Sequence, residues 1–409
     1  MGVKYGMPHD RPRLLTPTVL KKLRFFPIVA LQGARQTGKS FLAGQILPRE
    51  LKKLHYLTLD DESLRSVASL SARSFLLSYP EAHPLVIDEA QKCPALFDAL
   101  KLLVDRSRLP GRFILLGSTE FSRLSLIREA LTGRMGRVRV FPMTLLECLG
   151  LATNGKGTRS PTHFDLLNYL DRGGLPGVCF VREKNHRDFL FQDWLDLTCR
   201  RDIYQFKKIK LDGDVAWQIL RQCALLEEPT RSNIASALRC NPKRINTHLE
   251  ALTELFVIQK LLPHPSGTGK PFYLPFDSGI ATFLGANRIR ALHIWLMNEH
   301  LVRDQHLHAH RAEFYYYRST GKKLIHWVEK RPGDPIVAYQ LIDHDHLKLP
   351  DAELMKAFLK KNPRAKGFVC APTDSRVVLS KIPFIPWEMA SEISSNNKPI
   401  QRGTRPSSQ

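Results

Sequence analysis

The segment Ile28 to Phe41, IVALQGARQTGKSF, constrains this chain more than any other. Ile28, Val29, Ala30 and Leu31 read as a buried strand, Gly33 and Gly38 as a tight turn, and FLAGQIL as the helix that follows. Gly33, Gly38, Lys39 and Ser40 fill the pattern G-x-x-x-x-G-K-[ST], in which glycines let backbone N–H groups curl around the phosphates of a nucleotide. The phosphate cradle then comprises Gly33, Ala34, Arg35, Gln36, Thr37, Gly38, Lys39, Ser40 and Phe41. Lys39 is the candidate to meet the β- and γ-phosphates, and the Ser40 hydroxyl the candidate ligand for Mg²⁺. The helix that starts here turns its positive end towards the phosphates.

Such a loop needs an acidic partner at the carboxyl edge of a parallel sheet, where open α/β folds bind ligands. The run PLVIDEAQ supplies one: Leu85, Val86 and Ile87 form a buried-strand run that ends in Asp88 and Glu89. Asp88 would hold Mg²⁺ through water, and Glu89 would orient and deprotonate the water that attacks the γ-phosphate. LHYLTLD reads as a further strand, RFILLGST as another, and RVRVF as the one that follows LSLIREALTGR. Ser118, at the end of RFILLGST, either senses the γ-phosphate or holds the attacking water, or it caps a helix. Arg134 is either an arginine finger for the transition state or a structural surface residue.

GARQTGKS, VIDEAQ, RFILLGST and LTGR together resemble the prokaryotic AAA+ ATPase family that carries a C-terminal domain of unknown function with a nuclease-like fold. Leu116 departs from the threonine usual before the glycine in that family. The resemblance implies a five-stranded AAA+ sheet and ATP as the nucleotide. It also implies a winged helix between the ATPase and the last domain, which it likens to a restriction endonuclease.

On this reading the chain is an α/β protein: a P-loop AAA+ ATPase domain over 1–150, a helical linker over 151–210, a winged-helix domain over 211–285, a degenerate nuclease-like domain over 286–392, and a disordered tail over 393–409. In the middle part, Asn241 reads as an N-cap and Pro242 as the first helical residue. Lys243, Arg244, Asn246 and Thr247 then occupy the exposed start of a candidate recognition helix, with VIQKLLP and KPFYLP as the wing. Such modules dock either DNA or protein. Glu250 and Glu254, farther down the helix, would confine any DNA contact to its first turn.

The nuclease-like segment lacks the carboxylates that such a fold uses to hold Mg²⁺. Where a family member carrying the pattern has Asp and Glu-x-Lys, this chain offers Ile325 or His326 and then Tyr339 or Gln340; Glu299 alone persists. Eight of the 15 histidines fall between His293 and His346, and His306, His308 and His310 form either a metal-binding face or an exposed basic run.

The formal charge of +22, from 61 Lys and Arg against 39 Asp and Glu, attracts polyanions, double-stranded DNA first among them. Seven cysteines without a C-x-x-C pair argue against a disulfide framework and a zinc ribbon, and for reduced thiols. The absence of an apolar leader or membrane span points to a cytoplasmic protein with no membrane partner. The expectation is therefore an ATP- and Mg²⁺-dependent switch that hydrolyses ATP, associates with DNA and has a homo-oligomeric or protein partner. The alternatives are a nucleotide-gated adaptor with negligible turnover, and an ATP-coupled nuclease.

Overall fold

A computed structural model describes residues 11–51, 53–121, 131, 133–151, 160–205, 211–307, 311–321 and 323–391. Residues 152–159, at the start of the segment read as a helical linker, lie outside these residues, as do His308, His310 and the tail.

Five short strands form a parallel sheet: β1 (Ile28–Gln32), β2 (His55–Thr58), β3 (Leu85–Asp88), β4 (Phe113–Gly117) and β5 (Met135–Arg139), in the order β2-β3-β4-β1-β5. β1, β3 and β4 are buried along their whole length, because apolar layers cover both faces of the sheet. One layer includes Phe97, Leu100 and Val104 of helix α2 (Ala95–Arg106); the other includes Val19 and Leu23 of α1 (Thr16–Leu23). β5 starts two residues before the expected RVRVF run. Met135 and Gly136 pair with Ile28 and Val29, and a side chain at position 136 would meet the Phe26 ring at 2.8 Å.

The rest of the described chain builds on a second, eight-stranded sheet, in the order β12-β13-β11-β10-β9-β8-β6-β7. Its strands are β6 (Ile258–Pro263), β7 (Phe272–Pro275), β8 (Glu313–Arg318), β9 (Leu324–Lys330), β10 (Val337–Leu341), β11 (Lys366–Ala371), β12 (Val377–Leu379) and β13 (Ile382–Pro386). The hairpin β6–β7 is therefore continuous with the C-terminal strands, since Leu262 and Pro263 run parallel to Tyr315 and Tyr316. Its connecting loop is tied down as well: His264 N–H donates to Tyr316 O at 2.7 Å and Thr268 N–H to Arg318 O at 3.0 Å.

One helix joins the two halves. Further helices are α3 (Leu145–Leu149), α4 (Lys184–Arg200), α5 (Gly213–Leu225), α6 (Arg231–Ala237), α7 (Pro242–Glu254), α8 (Arg288–Leu307) and α9 (Leu349–Lys361). From Arg290 to His300 every residue of α8 is buried, polar ones included, and burying a polar group is costly unless it is hydrogen-bonded. Asn298 donates to Phe276 O, His300 Nδ1 faces Glu329, and Gln305 both accepts from Arg139 N–H and donates to Arg139 O. Glu299 accepts from Leu145 N–H at 2.7 Å and from the Trp295 indole at 3.2 Å.

Burial pushes the Glu299 carboxyl up to about 7 from 4.5, with Arg303 and the Leu145 N–H pulling the other way. A carboxyl raised in the native state leaves stability intact below its unfolded value and lowers it as pH rises through the native one. Stability should fall between about pH 4.5 and 7 by on the order of 2–3 kcal/mol from this group. Glu299→Gln should flatten that part of the curve of unfolding free energy against pH measured by urea titration.

Candidate nucleotide site

The loop after β1 is shaped by contacts that admit only particular residues. A Cβ at Gly33 would lie 2.1 Å from the Val140 carbonyl oxygen, so only glycine fits against the end of β5. Gln36 and Gly38 turn the chain with φ of 63° and 90°. Ala34 is part of a hydrophobic core, Thr37 is buried with its hydroxyl donating to Ala34 O at 2.9 Å, and Phe41 is half-buried. Gln36 and Ser40 are exposed. Lys39 is buried, and its ammonium donates to Gly33 O at 2.9 Å and Ala34 O at 2.8 Å. Burial lowers its pKa to about 8, against the pull of Glu89 and Asp88.

The parallel register places Asp88 at the same edge, two strands away across β4. Asp88 Oδ2 accepts from Ser40 Oγ at 2.6 Å and from the Tyr56 hydroxyl, while Oδ1 accepts from Glu89 N–H at 2.9 Å. The Tyr56 hydroxyl is pushed well up, by burial first and by Asp88 second. Glu89 leaves the strand in a left-handed conformation with φ 53°. Burial raises its pKa, and Lys39 opposes that shift. Gln91 Nε2 donates to Glu89 and lies 3.2 Å from Ser118 Oγ, which is itself 3.5 Å from Glu89 Oε2. Gln91 Oε1 and Thr119 Oγ1 are buried without hydrogen-bond partners.

Residues outside the loop hold it in place, Arg13 and Asp202 among them unforeseen in the sequence. Arg13 donates to Thr37 O at 2.9 Å and to Phe141 O at 2.8 Å, and pairs with Glu147 at 3.2 Å. Asp202 takes Arg35 in a two-pronged pair at 2.6 and 3.0 Å, with Arg201 on the same carboxylate at 3.3 Å. The Asp202 pairing outweighs the burial that would lower the Arg35 pKa. The Trp194 indole of α4 donates to Arg35 O at 3.3 Å.

Arg134 is not part of this constellation. It precedes Met135, whose partner on β1 is Ile28, at the opposite edge of the sheet from the loop, and it pairs with exposed Asp105 at 2.6 Å. Lys243, Arg244, Asn246 and Thr247 are also elsewhere, on the first turns of α7, where Asn241 caps the helix through Lys243 N–H at 2.8 Å. Arg244 pairs with Asp212 at 2.7 Å, Asn246 donates to Glu250 at 2.7 Å, and Thr247 Oγ1 donates to Lys243 O at 3.1 Å.

Residues 26–149 match the family model described as an AAA domain, which supports nucleotide binding by this part of the chain. Two curated relatives, uncharacterized proteins of Mycobacterium bovis and Mycobacterium tuberculosis, are each 29% identical over 251 residues. That alignment takes in 60% of this chain, which spans about half, 52%, of the length of those relatives. Among solved structures, the RuvB Holliday junction branch migration motor of Thermotoga maritima is 16% identical with a TM-score of 0.30, covering 65% of this chain and 95% of its own. AMPPCP-bound DnaA from Aquifex aeolicus is 14% identical with a TM-score of 0.28, covering 60% and 89%. These scores are too low to transfer either fold or function. Among the described residues no helix is long and apolar enough to cross a membrane, and no group of three or more His, Cys, Asp or Glu could hold a metal ion.

A lysine whose native pKa lies below its unfolded value costs stability when charged, and that cost disappears as pH rises through the window between the two. For Lys39 the window runs from about 8 to 10.5. Lys39→Met should therefore raise the melting temperature of nucleotide-free protein at pH 7, by a stabilisation on the order of 1–3 kcal/mol. Calorimetric scans should show the gain shrinking above pH 8, while ATP binding is lost.

Proposed function

We propose that this chain is an ATP-binding and ATP-hydrolysing AAA+ protein acting as a nucleotide-driven switch. The observation that carries this reading is the convergence of Lys39, Ser40, Asp88 and Glu89 at one sheet edge, around a loop that only glycine can line at Gly33. ATP with Mg²⁺ supplies the phosphoanhydride bond and the charge that its cleavage displaces. The oxygen donors of Ser40 and Asp88 suit a hard cation such as Mg²⁺.

Lys39 would exchange the Gly33 and Ala34 carbonyls for the β- and γ-phosphates, whose charge restores the full basicity that burial removes. Ser40 and Asp88 would separate to hold the cation, releasing Tyr56. Glu89 would accept the proton of the attacking water, with Gln91 and Ser118 fixing its carboxylate. The left-handed turn at Glu89 aims that side chain off the strand end. A finger role for Arg134 would have to be served in trans. It lies a strand's length, roughly 15 Å, from its own loop, and would leave Asp105 to reach a neighbouring copy.

The Arg35–Asp202 pair is the route by which the loop state would reach the helical segment behind it. Beyond that segment, α5 to α7 with the β6–β7 hairpin form the winged helix of this reading, and β8 to β13 with α8 and α9 its degenerate nuclease-like domain. The net charge supports an association with DNA. A second reading, docking of a protein by the same module, is favoured by the acids already on Arg244 and Asn246 and by the tethered hairpin loop.

Glu89→Gln should keep ATP binding and lower turnover at least about 100-fold, the low end of what a general base contributes. Wild-type hydrolysis by both Glu89→Gln and Lys39→Met would remove the mechanism. Removing Lys243 and Arg244 together should weaken DNA binding and flatten its salt dependence by up to about two units of log K against log salt. An unchanged slope would put the DNA contact elsewhere, and no binding at low salt would favour the protein-docking reading.

A further inference from the structure

A cleft of about 590 Å³ opens on the C-terminal half, lined by the end of α5 and the loop after it, the first turns of α8 and α9, and the facing side chains of β9 and β10. We propose that it is a binding site for an organic phosphate, separate from the loop at Lys39. The volume is in the range of pockets that take a nucleotide-sized molecule. Leu324 and Leu354 offer an apolar wall for its uncharged part.

Two cations, Arg290 and Lys323, line the cleft, and neither forms an ion pair among the described residues. Arg290 is buried in the first turn of α8, where the helix dipole is already positive and no acidic residue stands. Its guanidinium donates to Leu226 O at 2.6 Å and Glu227 O at 2.8 Å, and forms no ion pair among the described residues. Burial lowers its pKa only to about 10, so it stays charged at neutral pH. Lys323, exposed at the mouth, is likewise without an ion pair among the described residues. Two carboxylates share the lining. Asp351 caps its own helix through Lys348 N–H at 2.8 Å and lies 3.3 Å from His344, and Glu227 acts on Arg290 only from a distance.

The polar groups inside the cleft are unfinished. His293 is fully buried with neither ring nitrogen hydrogen-bonded; the His326 backbone is near enough to favour its charged form slightly without making a hydrogen bond. Gln340 donates to Asp351 O at 3.1 Å, but its Oε1 is buried and unpartnered. An orphaned buried polar atom is destabilising, and a ligand that pairs with it recovers that loss. His326 Nδ1 accepts the Leu341 N–H at 3.1 Å, which leaves the ring proton on Nε2. Burial also keeps both imidazoles neutral.

The cleft thus offers cations and an N–H for phosphate oxygens, and the Gln340 carbonyl for a ligand hydroxyl. These features disfavour a metal. Arg290 repels a cation, His326 presents a proton rather than a lone pair, and only His293 retains a free ring nitrogen.

Titration calorimetry should use the full chain carrying Lys39→Met, so that the phosphate loop cannot take the probe. Inorganic phosphate, AMP, and an oligonucleotide with and without a 5′-phosphate are the probes. Saturable binding of AMP or of the phosphorylated oligonucleotide, at one per chain and with the unphosphorylated strand at least about tenfold weaker, supports the site. AMP against oligonucleotide distinguishes a free nucleotide from a nucleic-acid end.

His293→Phe should abolish this binding while leaving the melting temperature equal or higher, because an unsatisfied imidazole is replaced by an apolar ring of similar size. Lys323→Glu, on the surface, should weaken it at least about tenfold with the fold untouched. The proposal is overturned if no phosphate probe saturates, if neither substitution moves the affinity, or if Zn²⁺ instead binds stoichiometrically and is lost in His293→Phe. None of these outcomes depends on ATP hydrolysis at Glu89.

Discussion

One buried ion pair, Arg13 with Glu147, ties the phosphate loop to the elements packed around it. Taking two charges out of water costs several kcal/mol each, so such a pair persists only where the remaining hydrogen-bonding groups are also satisfied. Here they are. Arg13 reaches the phosphate loop at Thr37 O and the exit of β5 at Phe141 O, and Glu147 takes the N–H groups of Leu14 and Thr144. The pair is therefore where the segment before α1, the loop, the last strand of the parallel sheet and the start of α3 are fixed to one another. On the proposed reading the loop would reorganise around phosphates, and this pair would give it rigid backing.

The backing continues through α8. Next to the Glu147 carboxylate, Leu145 N–H is held by Glu299, and one turn and a half farther along the same helix Gln305 brackets Arg139 of β5. At 20 residues α8 is about 30 Å long. Its first turn lines the C-terminal cleft and its last turns grip the nucleotide sheet. A packed helix of this kind transmits displacement because its surroundings cannot absorb it, being close-packed on every side from Arg290 to His300. Its buried polar groups set its register against both halves, since a slide of one turn would unpair Asn298, Glu299, His300 and Gln305 together.

Much of the nucleotide half was legible in the sequence because its determinants are local. A buried strand, a glycine turn and a helix start are adjacent in the chain, and an acidic strand end declares itself by the apolar run before it. The Asn241–Pro242 helix start was legible for the same reason. Arg13, Tyr56 and Asp202 were not, because nothing near Arg13 in sequence distinguishes it from other surface arginines; its partners are Thr37, Phe141 and Glu147. The pairing of β6 with β8 was equally hidden, since a strand's neighbour across some fifty residues of chain leaves no trace in either strand's own pattern. Gln91 sat in the quoted VIDEAQ motif, yet its contact with Ser118 depends on where β4 ends.

The formal charge of +22 is distributed in a way that separates attraction from recognition. Several arginines are spent inside the protein: Arg13 on Glu147, Arg331 on Asp304 and Glu329, and Arg187 on Asp171. At the start of α7, Arg244 is answered by Asp212 and the helix carries Glu250 and Glu254. A surface with excess cations draws any polyanion by long-range field, which salt screens over about 10 Å at 0.1 M. Recognition of a phosphate instead requires a desolvated cation that the protein has left without an acid of its own. Lys39 meets that condition, held against carbonyl oxygens with its basicity lowered by burial, and so does Arg290. In both places the buried cation is held by carbonyl oxygens and forms no ion pair among the described residues, and an anionic ligand would supply the missing counter-charge.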